Sequence, residues 1–328
     1  MDKSRLRWTL ATIAVAFSSL TACTAQSPPT TQAPQSTTQA SPAPENRPKV
    51  VATNTILCDL TKQIAAATVN LTCLVKPGAD PHVYQATPDD RKAIEQANLV
   101  LYGGYNFEST LIRLIQASST QAPKVAVNEL AVPNPEKFEE DGKTETDPHV
   151  WHNAQNGMRM AEVIRDSLSK VAPNNAALYN ENTKKVTSEI GQIDRWIKSQ
   201  IGTIPQASKT LVTTHDALGY YSKAYGIPVA ALEGISTEEK PTAANVKALV
   251  EEIQEKQVPT IYAELSVNPQ LIKTVAKEAK VKVSEEEIYA DGLGEPNSSG
   301  GTYQTMLIAN TKAIVEGLGG QYTPFQLK

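Results

Sequence analysis

The sequence predicts an α/β protein made of two similar parallel-sheet lobes joined by a single long linking helix. Three observations carry this. Short apolar runs alternate with amphipathic helical stretches, the rhythm of a parallel sheet covered on both faces. That rhythm stops once, at a charged helical stretch over residues 173–202, and resumes after Pro205. The four histidines of the chain all lie in polar connections, each within two residues of Asp or Trp. In an open α/β sheet such connections line the binding crevice.

At the N-terminus, Lys3, Arg5 and Arg7 precede a short apolar run over residues 8–20. Leu20-Thr21-Ala22-Cys23 then matches a bacterial lipoprotein cleavage box, so residues 1–23 are expected to be a signal segment. The apolar run is too short and wrongly flanked for a permanent membrane span. Cleavage would leave Cys23 as the first mature residue, lipidated on its sulfur and held to a membrane by acyl chains alone. Residues 24–48 consist of Ser, Thr, Pro, Gln and Ala with almost no large apolar side chains. Such a segment cannot offset its ordering entropy and predicts a flexible tether. An anchor followed by a leash places the folded part in the extracytoplasmic space, at a periplasmic or cell-surface membrane.

Residues 49–172 are expected to form the first lobe. Strands are predicted over 49–52, 69–75, 99–102 and 124–127, with helices over 56–67 and 107–117. Ile56, Leu60, Ile64 and Ala67 have helical spacing, and Thr87-Pro88-Asp89-Asp90 is a helix start with capping hydroxyl, proline and acids against the dipole. Residues 134–147 read as an irregular, solvated acidic loop carrying Glu136, Glu139, Glu140, Asp141, Glu145 and Asp147. Helices follow over 154–171 and 173–201. The second is the linker, with an apolar stripe of Ala177, Val186, Ile190, Ile193 and Ile197. Residues 203–328 make the second lobe, with strands over 210–213, 229–232, 260–263 and 281–283. Its helices are expected over 217–224, 242–256, 269–280 and 303–318.

A chain of 328 residues can hold two domains with substantial cores. A net charge of -4 and the absence of a basic patch exclude nucleic acid as a partner. Cys58 and Cys73 remain once Cys23 is set aside. An oxidising compartment permits a bridge between them, worth about 3 kcal/mol by chain entropy, and two reduced, buried cysteines are the alternative.

The chemistry concentrates on His82, His149 and His215. The tripeptide Asp-Pro-His occurs twice, at 80–82 and 147–149, each time after a turn-rich segment. Imidazole is the commonest side-chain ligand for zinc and its neighbours. His82 follows the second strand of the first lobe, His215 the first strand of the second, and Asp291 a late strand-like segment. With His149 they make three nitrogens and one carboxylate facing a common cleft, a set suited to tetrahedral zinc. Manganese could be accepted if the carboxylate binds through both oxygens. His152, three positions from His149, either shares a helical face with it or is exposed, and is read as a non-ligand. Glu264 ends a strand, where it could orient a ligand imidazole or simply be solvated.

The strings Pro-Gly-Ala-Asp-Pro-His-Val-Tyr (77–84), Asp-Pro-His-Val-Trp (147–151), Thr-His-Asp-Ala-Leu-Gly-Tyr (214–220) and Tyr-Ala-Asp-Gly-Leu-Gly (289–294) occur in this order. On these motifs the chain, from about Val50 to its C-terminus, resembles the metal-binding lipoproteins of bacterial ABC importers, the cluster A-I zinc and manganese receptors. The resemblance implies two lobes, a rigid linking helix, and a buried metal held by His82, His149, His215 and Asp291. His215 stands where manganese receptors usually carry glutamate and zinc receptors histidine. The histidine-rich loop of many zinc receptors is acidic here, and the usual Leu-Asp-Pro after the tryptophan is replaced by His152-Asn153-Ala154.

The expected function is therefore capture of Zn²⁺, with Mn²⁺ as the alternative, and its delivery to a membrane permease. The ion would be transported substrate, and the receptor a monomer. No Gly-x-x-x-x-Gly-Lys-Ser/Thr loop and no run of about 18 apolar residues is present, so ATPase and pore must be separate chains. A zinc hydrolase using Asp291 as ligand or base is the rival reading. It is weakened by a ligand set with no position left for water and by the lack of a His-Glu-x-x-His helix. A surface adhesin or scaffold, in which the histidines would be dispensable, is the third.

Overall fold

A computed structural model describes residues 47–140 and 143–328. The signal segment, Cys23 and all but the last two residues of the 24–48 tether lie outside the described residues. β1 (Lys49–Ala52) pairs in parallel with β2 (Asn70–Cys73) and β3 (Leu99–Tyr102), and β3 with β4 (Lys124–Ala126), giving the order β2-β1-β3-β4. The central strands are apolar at successive positions because both of their faces are covered. Val50, Ala52, Leu99 and Leu101 face the main core with Ile56, Leu60 and Ile64 of α1 (Thr55–Ala65). Val51 and Val100 face a smaller core with Ile94 of α2 (Pro88–Glu95) and Leu111 and Ile115 of α3 (Ser109–Ala117). Asn54 caps α1 by accepting the Leu57 N–H at 2.9 Å. Thr87 and Asp90 form a reciprocal capping box on α2, with Pro88 in its first turn.

After α4 (Val127–Ala131) the chain departs from its sequence reading. The expected acidic loop is an antiparallel hairpin of β5 (Lys137–Glu140) and β6 (Lys143–Thr146), with Lys137 opposite Thr146 and Phe138 opposite Glu145. A two-stranded ribbon with little apolar surface to bury shows no hydrophobic alternation, which is why sequence pattern misses it. Its base is anchored rather than free. The Glu136 N–H donates to the Tyr220 hydroxyl at 2.8 Å, its carboxylate meets Lys223, and the Asp147 N–H donates to the Glu136 carbonyl at 3.0 Å. Asp147, counted in the solvated run, is buried.

α5 (Ala154–Val171) and α6 (Ala176–Ile201) follow, separated by a 3-10 turn over Pro173–Asn175 that the sequence reading had merged into the long helix. The apolar stripe of α6 starts later than expected: Ala177 is exposed, and Tyr179, Val186, Ile190, Ile193, Ile197 and Ile201 carry the buried face. Near its start, α6 donates from Asn182 to the Ile64 carbonyl at 2.9 Å. Near its end, Trp196 donates to the Thr323 carbonyl at 2.9 Å.

In the second half β7 (Leu211–His215) pairs in parallel with β8 (Val229–Glu233), and β9 (Thr260–Ile261) with β10 (Lys282–Val283). The Tyr262 N–H donates to the Val212 carbonyl at 2.9 Å and stitches the two pairs together. The resulting succession β8-β7-β9-β10 repeats the plan of the first sheet. Around it lie α7 (Gly219–Tyr225), α8 (Ala243–Glu255), α9 (Gln270–Ala279) and α10 (Tyr303–Gly317). The two sheets share more than the long helix. One core cluster runs from Val50 to Leu318, and α1 meets α10 through Tyr303 N–H to Asp59 at 2.8 Å and Gln63 to Gln304 at 2.8 Å. Gly157 in α5 is required by this packing, because a Cβ there would lie 2.0 Å from the Tyr303 hydroxyl.

Cys58 on α1 and Cys73 at the end of β2 form a disulfide with a Cα–Cα distance of 5.7 Å. Replacing both by alanine should lower the unfolding free energy by about 3 kcal/mol. Reductant should then destabilise the wild type and leave the variant unmoved. Equal denaturation midpoints for the two proteins would show that the bridge adds nothing.

Candidate metal centre

Three connections and the end of one strand bring His82, His149, Asp291 and His215 together. One donor atom from each lies within 4.8 Å of the other three, and all four residues are buried. The repeated Asp-Pro-His motif has a physical reason. In each copy the aspartate oxygen accepts the backbone N–H of the histidine two residues on, at 2.9 Å for Asp80 and His82 and 2.9 Å for Asp147 and His149. This Asx-type turn sets the direction in which the imidazole leaves the backbone. His215 is the last residue of β7, and Asp291 follows an isolated parallel bridge between Glu264 and Ile288.

Four of the donor spacings approach those of a coordination polyhedron. His82 Nε2 lies 3.2 Å from His149 Nε2. Asp291 Oδ1 lies 3.5, 3.3 and 3.1 Å from the Nε2 atoms of His82, His149 and His215. A tetrahedron with metal–ligand bonds of about 2.0–2.1 Å has edges of about 3.3–3.4 Å; these four spacings lie near that length, while the group as a whole spans up to 4.8 Å and would draw in around an ion. The other carboxylate oxygen, Asp291 Oδ2, accepts the Ser266 hydroxyl at 3.1 Å and is turned to that use.

Behind the nitrogens stand carboxylates. Glu264 is buried, so the solvated alternative for it does not hold. Its Oε2 is 2.5 Å from His215 Nδ1, while Oε1 accepts the Thr214 and His215 N–H groups at 2.8 and 3.0 Å. Asp147 Oδ1 is 2.8 Å from His149 Nδ1. Sequence reasoning missed Asp147 by counting it among surface charges, although its place in the second Asp-Pro-His was the available signal. Phe107 was also missed as part of the site. Its ring lies edge-on to His82 and His149, with centroids 5.0 and 5.7 Å apart, and packs on Trp151 at 4.8 Å.

Charge follows from these contacts. Burial presses the His149 imidazole down, but bonds and charge from Asp147 and Asp291 outweigh it and leave the group above its ordinary value. Burial likewise acts against protonated His215, yet the carboxylates of Asp291 and Glu264 carry it well above. Asp291, which burial would raise, is held well below the carboxylate range by the charge of His215 and by bonds from three histidines. The cluster therefore holds protons on His149 and His215 more tightly than free imidazoles would, and a cation bound there would compete with them. His152 is buried, not exposed, and lies outside the group of four. Burial and the nearby charge of His149 push it down to about 3. Glu233, opposite His215 in register, is pushed up to about 7, chiefly by burial.

A family model described as zinc-uptake complex component A, periplasmic, matches residues 50–317. The chain belongs to this family. It is 36% identical over 277 residues to the manganese ABC transporter substrate-binding lipoprotein PsaA of Streptococcus mitis, covering 82% of this chain and 89% of that protein. To the manganese ABC transporter substrate-binding lipoprotein ScaA of Streptococcus gordonii it is 34% identical over 316 residues, covering 94% and 97%. Among solved structures, the periplasmic zinc binding protein TroA of Treponema pallidum superposes with a TM-score of 0.79 at 29% identity, covering 83% of this chain and 99% of that one. A manganese-bound periplasmic metal binding protein of Candidatus Liberibacter asiaticus gives 0.74 at 26% identity, covering 82% and 98%. The family of metal ABC transporter substrate-binding lipoproteins consists of binding proteins and not enzymes, which removes the hydrolase reading. Among the described residues no helix is long and apolar enough to cross a membrane.

Asp147→Asn and Glu264→Gln should each weaken binding of a divalent metal by about 10- to 100-fold, since each removes the negative charge behind the His149 or His215 imidazole. Competition titration against a chromophoric chelator measures this, with circular dichroism as the control for folding. Unchanged affinity in both variants would separate these carboxylates from metal binding.

Proposed function

We propose that this chain captures Zn²⁺ outside the cytoplasm and delivers it to a membrane permease driven by a separate ATPase subunit. The observation that carries the reading is the buried set of His82, His149, His215 and Asp291, whose donor atoms all lie within 4.8 Å of one another. The engagement of Asp291 Oδ2 by Ser266 favours zinc over manganese. It leaves one carboxylate oxygen toward the histidines, for a four-coordinate site of three nitrogens and one oxygen. Manganese, an ion of oxygen-rich octahedral sites, would call for more oxygens. The relatives named for manganese keep Mn²⁺ as the second reading.

In this reading lobes 49–172 and 203–328 rock against the 173–202 helix to release the ion, and Cys23 anchors a monomeric receptor by its lipid. A cavity of about 10 Å³, at most one water in size, touches Asp291 between Thr55, Gly78 and Ala79 on one side and Ser266 and Ala290 on the other. Release would break the bonds that cross the rim, from the Thr237 hydroxyl to Asp80 at 2.6 Å and from the Leu293 N–H to Thr55 at 2.8 Å.

Metal content after mild purification, read by mass spectrometry, should show one zinc per chain. Competition should favour zinc over manganese, and His149→Ala should lose the ion. Manganese outcompeting zinc would reverse the assignment, and full binding by His149→Ala would favour a scaffold protein. A second measurement is pH dependence. Because His149 and His215 hold their protons above the ordinary histidine value, binding must expel protons. Affinity should therefore climb with pH through and beyond the histidine range and fall on acidification. Affinity that stays flat between about pH 5 and 8 contradicts proton-coupled capture.

A further inference from the structure

His152 is fully buried at the end of a 3-10 turn over Val150–His152 that begins one residue after His149. Its Nε2 lies 2.7 Å from the Ala290 carbonyl oxygen, and Trp151 Nε1–H donates to the same oxygen at 3.2 Å. A carbonyl can only accept, so Nε2 carries the proton and Nδ1 is bare. Nδ1 has no partner, which is cheaper for an acceptor than for an N–H.

Ala290 immediately precedes Asp291. The two carbonyls before it are held from their own half of the molecule, Ile288 by the Leu265 N–H at 3.0 Å and Tyr289 by the Asn310 amide at 2.9 Å. The Ala290 carbonyl is instead held by the segment that carries His149. Two donors on one oxygen fix the plane of the Ala290–Asp291 peptide, and with it the direction in which the Asp291 side chain leaves the backbone. An apolar residue of similar size at 152 would fill the space but leave that oxygen with the longer bond alone.

We infer that His152 is a positioning residue that aims the Asp291 carboxylate at the three imidazoles and ties the Asp291 loop to the His149 loop. The inference rests on the metal-receptor reading. Zn²⁺ competition titration and the visible spectrum of the Co²⁺-loaded full chain test it, together with ¹⁵N-histidine NMR. His152→Leu should bind zinc about 10-fold more weakly and shift the Co²⁺ bands. His152→Gln, whose amide can still donate to the carbonyl, should stay within about threefold and keep the spectrum. The ¹⁵N shifts should show His152 protonated at Nε2. If the leucine variant does not fold, His152→Asn, with an amide too short to reach, takes its place against glutamine. Wild-type affinity and spectrum in the leucine or asparagine variant overturn the inference. So does a glutamine variant as impaired as they are, or a proton found on Nδ1. A wild-type chain that takes up neither ion overturns the receptor reading itself, a different outcome.

Discussion

Burying three imidazoles beside a carboxylate is expensive unless every nitrogen and oxygen has a partner, and the rest of the architecture answers to that requirement. His149 leans on Asp147, His215 on Glu264, and Asp291 on Ser266. Each support comes from an element different from the one the cation would touch, or from the turn that launches it. Strand ends and Asx turns supply the directions, and the continuous core beneath them keeps those directions from drifting. The proposed site is therefore a property of the packed halves together and not of any one loop.

The two halves also share a device. In the second, Glu264 follows β9 and binds the end of β7 through Thr214 and His215. In the first, Glu108 follows β3 and binds the end of β1, accepting the Thr53 hydroxyl and the Asn54 amide at 2.6 Å each. Both glutamates are buried. Burial raises Glu108 above its ordinary value, which suits a group that ties neighbouring strand ends. Its counterpart faces the imidazole of His215, a proposed metal ligand. One plan of sheet and buried glutamate thus appears twice, once as structure and once turned toward the cleft.

Much of this could be read from the chain. Strands buried on both faces write themselves as apolar runs, and His82, His149 and His215 stood out because histidine is scarce and Asp-Pro-His recurs. What could not be read was burial of charge. Asp147 sits at the end of an acidic run, and only the fold shows that it turns inward while the residues before it pair in a two-stranded ribbon. Ala177 fitted a helical stripe by spacing, yet lies before the turn at which α6 meets its neighbours. The Ala290 partner of His152 is 138 residues away, a separation no local pattern spans.

The carboxylates of Asp147, Glu264 and Asp291 favour a proton on His149 and on His215, and the same carboxylates would favour a divalent cation in their place. Protons are thus built-in rivals of the proposed cargo, so the acidity of the surroundings would act on the pocket directly.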